Sequence, residues 1–236
     1  MDKIKTTHVG SLPRSKKLSE ILFKKDKNEL FDQVELDKII EEDVDKIVKK
    51  QIDIGIDIIS DGEMSKISYA TYVKDRLHGF SGESERRAPK DLDDFPSYKE
   101  KIAKSGGTPT YTRPCCTADL KIKDTKSLTK DISNLKSALK KNNHSQGFIN
   151  SASPGVISNF LPNKFYKNDD DYLEALSKIM KTEYDEITKN DLLLQIDCPD
   201  LALARHMTFK NVSDEEFLVR AEKQIECLNE AIKDID

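Results

Sequence analysis

The sequence predicts an α/β protein in which parallel strands alternate with crossover helices. Three observations carry that prediction: apolar residues recur at helical spacing in separate blocks, short apolar runs fall between the blocks, and each run stops at polar or turn residues. The first strand is expected near residues 4–7 and leads into His8-Val9-Gly10-Ser11. Leu36, Ile39, Ile40, Ile47 and Val48 then mark one apolar face of a helix that runs to about Ile52 and breaks at Gly55. Residues 56–60 form the second expected strand, stopped by Asp61-Gly62-Glu63. Residues 79–109 are polar and rich in turn formers, which predicts a long insertion between the second and third strands, with a short helix near residues 98–104. The third strand is expected at 110–113, before Pro114, Cys115 and Cys116.

A helix follows over 127–139, with Leu128, Ile132, Leu135 and Leu139 on one face. A fourth strand at 147–151, ending in Asn150-Ser151, is closed by Ser153-Pro154-Gly155. Tyr172, Leu173, Leu176, Ile179, Met180 and Ile187 line the next helix. The fifth strand, near 192–196, runs into Asp197 and stops at Cys198-Pro199. A capping box, Ser213 with Glu216, starts the last helix, whose expected buried face is Phe217, Leu218, Ala221, Ile225 and Leu228. The pattern suits either an open doubly wound sheet or a (β/α)8 barrel. No G-x-G-x-x-G turn follows an early strand, as a dinucleotide-binding sheet requires, and five βα units are visible where a closed barrel has eight.

Charged residues make up 35% of the 236 and apolar ones 36%, so a core depends on the periodicity just described. The net charge of −4 comes from interleaved signs, which leaves no basic stripe for nucleic acid or an anionic membrane. No apolar run approaches the ~18–20 residues of a membrane span, and a cytoplasmic location is expected. Cys115, Cys116, Cys198 and Cys227 show no C-x-x-C spacing, and His8, His78, His144 and His206 are scattered. Local spacing therefore predicts neither a disulfide frame nor a metal site.

Two acids stand out because each follows an apolar strand directly: Glu63 and Asp197. Converging carboxylates in a semi-dry pocket suit an ammonium group. A first-turn acid at a helix N-terminus explains Glu63 equally well. Gly10 and Ser11 sit where backbone N–H groups and a hydroxyl can hold a carboxylate, and ordinary turn chemistry also accounts for them. Arg14 and Arg113 are candidate anion contacts, and His8 is a candidate acid–base group, donor or barrel-filling side chain. Cys115 and Cys116 read better as packing residues than as nucleophiles. Together these groups describe an amino-acid pocket.

The segments "TTHVGSLPR", "GIDIISDGEMSKISYATYVKDRL", "INSASPGVISNFLPN" and "LLLQIDCPDLALARHM" resemble the cobalamin-independent methionine synthase family. Its short single-barrel relatives, which include epoxyalkane:coenzyme M transferase, are the nearer likeness. The resemblance implies a (β/α)8 barrel of the methionine synthase/uroporphyrinogen decarboxylase-like class. It implies a methyltransferase that uses zinc and no cobalamin, acting on a thiol such as homocysteine with a methyl donor such as a methylated folate. By motif, Val9-Gly10-Ser11 resembles the segment that holds the homocysteine carboxylate, and Glu63 and Asp197 resemble the acids that bind its amino group. Arg113 and Cys116 fall where the family approaches its donor, with His8 and Arg14 as further donor-side or anion contacts.

The family's zinc ligands follow the fifth strand and would lie beyond Asp236. Residues 1–236 are therefore expected to form a single incomplete barrel of about five βα units that does not hold zinc alone. Such a piece is expected to need a second polypeptide, to self-associate, or to be a truncated product. A non-catalytic amino-acid- or thiol-binding fragment and an alkyl transferase acting on another thiol are the alternative functions.

Overall fold

The computed structural model describes residues 3–85, 90–104 and 111–235. In chain order its elements are α1 (Lys16–Asp26), α2 (Gln33–Asp53), β1 (Ile59–Ser60), α3 (Val73–Arg76), β2 (Leu77–Ser81), α4 (Pro96–Lys104) and β3 (Cys115–Ile122). They continue with α5 (Lys126–Lys141), β4 (Gly147–Ala152), α6 (Pro154–Phe160), α7 (Asp169–Thr188), β5 (Leu193–Asp197) and α8 (Asp214–Ile232).

The main sheet is parallel, in the order β1-β4-β5, and Thr7 adds one parallel bridge to Ile58 on its outer side. Spatial order thus follows chain order without reversal. The central strand β4 is buried along its whole length, whereas β5, at the edge, leaves Leu193 exposed. Its register sets Asn150 opposite Gln195 and Ala152 opposite Asp197, so the polar strand ends meet at one rim.

The expected third strand is corrected. Residues 111–113 are irregular, and residue 110 lies outside the described residues. The strand in this region is β3, which pairs antiparallel with β2 and not with the main sheet. Pro114 separates the two, and the exposed Thr117, Asp119 and Lys121 of β3 mask its pattern. β4 consequently sits directly beside β1, and among the described residues the parallel series has four positions instead of five. The 79–109 stretch begins inside β2 and carries the 3-10 turn Lys90–Asp94 and α4. Its residues 86–89 and 105–109 lie outside the described ones.

Two apolar clusters hold the layers together. In one, Leu18, Leu36, Val44 and Val48 of α1 and α2 pack with Leu135 of α5 against Ile59 and Ile149. In the other, Val73, Leu77 and Cys116 pack with Ile157, Leu173's neighbours Tyr172 and Leu176, and Tyr184 around Ala152. The capping box of α8 is present, with Ser213 Oγ accepting from the Glu216 amide at 3.1 Å. Leu218 and Ile225 are exposed on α8, contrary to the predicted buried face. The inner face turns instead through Phe217, Ala221, Gln224, Cys227 and Ala231. The four cysteines are unpaired. Among the described residues no helix is long and apolar enough to cross a membrane.

Candidate active site

β1 ends in the turn Asp61-Gly62-Glu63, and the two last residues adopt left-handed backbone, with φ of 66° and 57°. Glycine suits position 62, where the left-handed backbone strains other residues and a Cβ would meet Met64 Cε at 2.9 Å and Leu12 Cβ at 3.1 Å. For Glu63, left-handed backbone costs about 1 kcal/mol or more, so the surroundings must hold it. Asp61 Oδ1 accepts from the Glu63 amide at 2.9 Å. Arg14 Nη2 donates to the carbonyls of Glu63 (2.7 Å) and Lys66 (2.5 Å). Leu12 N–H closes on Gly62 O at 3.0 Å, laying the segment after His8 across the turn.

The buried Glu63 carboxylate accepts from Ser11 Oγ on one oxygen and from Asn150 Nδ2 on the other, the latter at 2.5 Å. The same Asn150 nitrogen donates to Asp197 Oδ2 at 2.9 Å, and Gln195 Nε2 donates to Asp197 Oδ1 at 3.0 Å. Two carboxylates from the ends of β1 and β5 thus converge on one nitrogen supplied by β4. Lys66, fully buried, donates its ammonium to the Asn150 carbonyl and lies 4.5 Å from the Tyr72 ring centre. Burial pushes the Asp61 carboxyl up to about 6, with Asp131 and Glu63 adding to the rise and Lys66 opposing it.

Ser11, Glu63 and Asp197 therefore meet at one place. Gly10 is half-buried beside them, and Val9 is exposed. Arg14 Nη2 is taken up by backbone carbonyls inside the turn, while its Nε is buried without a hydrogen-bond partner among the described residues. Burial lowers its pKa, while Glu63 and Asp61 act to raise it. His8 is half-buried, and its Nε2 has no hydrogen-bond partner among the described residues.

Arg113 lines a cleft of about 380 Å³ with Tyr69, Phe160, Pro199 and Met207. Its guanidinium lies 4.7 Å from the Phe160 ring centre, and Nη2 donates to Tyr111 at 3.2 Å. Cys116 does not face this cleft. It is fully buried in β3, and burial pushes its thiol up to about 11. Cys198 is likewise pushed up to about 11, first by burial and then by Asp200. Neither thiol is a ready nucleophile at neutral pH.

Two residues of the site escaped the sequence reading. Tyr69 packs edge-on against Phe160 (5.8 Å, 69°) and joins the cleft to the acids. Burial raises its phenol pKa, as do Tyr111, Asp197 and Glu63, while Arg113 opposes them. Its only signal was an aromatic six residues after Glu63. The bridging part of Asn150 required the strand register.

Comparison with known proteins places the chain in a family. The model of the family described as "Cobalamin-independent synthase, Catalytic domain" matches residues 4–232. A 5-methyltetrahydropteroyltriglutamate–homocysteine methyltransferase of Desulforamulus reducens is 33% identical over 76 residues, which is 32% of this chain and 10% of that protein. The protein of the same name from Bifidobacterium longum is 32% identical over 75 residues, again 32% of this chain and 10% of its own. The matches thus span about 10% of the length of these curated relatives.

Among solved structures, a B12-independent methionine synthase from Shewanella sp. W3-18-1, in complex with selenomethionine, superposes with a TM-score of 0.69 at 20% identity. It covers 98% of this chain and 58% of that one. A putative vitamin-B12-independent methionine synthase from Listeria monocytogenes gives 0.66 at 19% identity, covering 100% and 64%. The fold is the α/β fold of those proteins. With its family model matched over nearly the whole length, this chain belongs to the cobalamin-independent synthase catalytic-domain family.

Proposed function

We propose that this chain is the acceptor-binding portion of a zinc-dependent, cobalamin-independent methyltransferase of the methionine synthase type, built as part of a (β/α)8 barrel. Its acceptor is an amino-acid thiol such as homocysteine, and the donor a methylated compound such as a methylated folate. The observation that carries this is the convergence of Glu63 and Asp197 on a single nitrogen. An ammonium has three donors and a positive charge, and two carboxylates from different strand ends meet it without rearranging the sheet. A sulfonate thiol has no ammonium for these acids, which disfavours the alkyl-transfer alternative.

In the reaction a sulfur–carbon bond forms as the methyl group leaves its donor, and the acceptor sulfur loses its proton. The chain's part is to fix the amino-acid end so that the sulfur points at the donor, with the backbone N–H groups of Gly10 and Ser11 on the carboxylate and the acids on the ammonium. The cleft of Tyr69, Arg113 and Phe160 is the donor side in this proposal. Zinc would hold the acceptor sulfur as thiolate. Among the described residues, however, no group of three or more His, Cys, Asp or Glu is placed to bind a metal ion, so these residues do not by themselves fit that role. The edge position of β5 is where a further segment or a second copy would continue the sheet.

Calorimetric titration of the full chain with L-homocysteine tests the proposal. Asp197→Asn and Glu63→Gln should each weaken binding by at least about tenfold, since each removes a charge-assisted hydrogen bond worth ~1.5–3 kcal/mol. Unchanged affinity in both variants would remove the ammonium assignment.

A further inference from the structure

We infer that Asn150 is the positioning residue that lets two carboxylates share one ammonium. The inference rests on the acid pair being the ammonium site. Glu63 and Asp197 come from strands that are not neighbours, since β4 lies between β1 and β5. Two ionised carboxylates brought together in a poorly solvated place repel, and nothing in the sheet itself forces them to face each other. Asn150, buried on β4, supplies the missing link: one amide nitrogen donates to Glu63 Oε1 at 2.5 Å and to Asp197 Oδ2 at 2.9 Å.

The acceptors on both sides are carboxylates, which fixes the amide with its nitrogen towards them. The remaining oxygens are held from outside, Glu63 by Ser11 and Asp197 by Gln195. Lys66 donates to the main-chain carbonyl of Asn150, which holds the β4 backbone from which that amide projects. Each carboxylate keeps free lone pairs after these bonds, since two oxygens offer about four acceptor sites. An arriving ammonium therefore finds both acids already turned towards a common point. Without the amide the acids would separate, and an ammonium would meet one of them at a time. Asn150 consequently sets the preference for an amino-bearing thiol over the same thiol without the amine.

The experiment compares L-homocysteine with 4-mercaptobutyrate, which lacks only the amino group, in calorimetric titrations of the full chain. The proteins are the wild type, Asn150→Ala and Asn150→Leu, the last retaining side-chain volume in case the smaller residue fails to fold. The wild type should prefer homocysteine. Both variants should lose about tenfold of that preference, through homocysteine alone, with 4-mercaptobutyrate affinity changed by less than about twofold. In the wild type, the Asn150 side-chain amide resonances should shift with homocysteine and stay in place with 4-mercaptobutyrate, a readout that needs no variant.

Equal weakening of both ligands, or an unchanged preference, overturns the positioning role while leaving the ammonium site standing. A wild type with no preference for homocysteine overturns the ammonium site itself, and the inference with it.

Discussion

Removing the guanidinium of Arg76 should cost this protein a large part of its stability and reverse the sign of its acid response. Arg76 is buried at the end of α3 and reaches Asp131 of α5 at 2.6 Å and Glu183 of α7 at 2.6 Å. Its guanidinium also lies 4.7 Å from the Tyr72 ring centre. Arg76→Met keeps the stem and deletes the charge, which leaves two buried carboxylates.

Glu183 retains donors, from Ser151 Oγ at 2.7 Å and from the Tyr72 hydroxyl, whereas Asp131 loses its side-chain partner. Breaking a buried pair costs about 3–5 kcal/mol, and because Glu183 stays hydrogen-bonded the two losses should not simply double. At ~2–4 °C per kcal/mol for a chain of this size, Tm should fall by about 10 °C. Burial raises the Glu183 pKa, but Arg76 and its other partners outweigh burial and hold it below the usual glutamate value. In the wild type this group stabilises above its unfolded pKa, and that contribution fades as pH falls through the folded one.

In the variant burial acts unopposed by Arg76, so the folded carboxyls hold protons that the unfolded chain has lost. Relative to wild type, stability should therefore rise as pH falls from 7 towards 5. Urea denaturation followed by circular dichroism across that range measures both effects. Adding Asp131→Asn should recover part of the loss, because the orphaned charge is then gone. A loss below about 1 kcal/mol with an unchanged pH slope would refute the view of Arg76 as the charge that makes this interior tolerable.

Asp61→Asn should act in the opposite sense. Burial pushes this carboxyl up to about 6 from its ordinary 3.8, so it costs roughly 3 kcal/mol of stability above pH 6. That cost develops as pH rises from about 4 to about 6, and in the variant this descending stretch of the stability profile should vanish; an unaltered stretch would contradict the assignment. Gly155→Ala should destabilise by ~1–3 kcal/mol, since its Cβ would meet Asp200 Oδ2 at 2.1 Å and that oxygen's carboxylate is tied to Ser153 at 2.8 Å. Denaturant titration of this variant with an unchanged midpoint would show that Asp200 moves aside freely.

The helices were legible because each carries one clean apolar stripe. Leu36 to Val48 in α2 and Leu128 to Leu139 in α5 are the clearest, and the capping box at Ser213 marked the start of α8 to the residue. α1 was missed although Leu18, Ile21 and Leu22 lie at helical spacing, because five lysines surround so short a stripe. The β2–β3 hairpin was missed for a different reason. Its strands pair Ser81 with Cys115, 34 residues apart, and β3 alternates too weakly to declare itself. That miss displaced the third parallel strand.

In the site, Glu63 and Asp197 were visible as acids ending apolar runs. Arg14 was visible only as a cation, since nothing local shows that its Nη2 donates to the Glu63 and Lys66 carbonyls. Strand order makes Asn150 the bridge, and strand order is a property of the whole sheet.

The groups that meet at the acid pair are far apart in the chain, with Glu63 52 positions after Ser11, Asn150 87 after Glu63, and Asp197 47 after Asn150. No partly folded segment contains the site, so an occupant that needs all four groups reports on complete assembly of the sheet. By mass action, such a ligand at a hundred times its dissociation constant would add about 2.7 kcal/mol to the folded state. A thermal-shift screen of small amino acids and thiols would therefore serve two ends at once, identifying what the pocket accepts and measuring how tightly these four points are tied into one folding event.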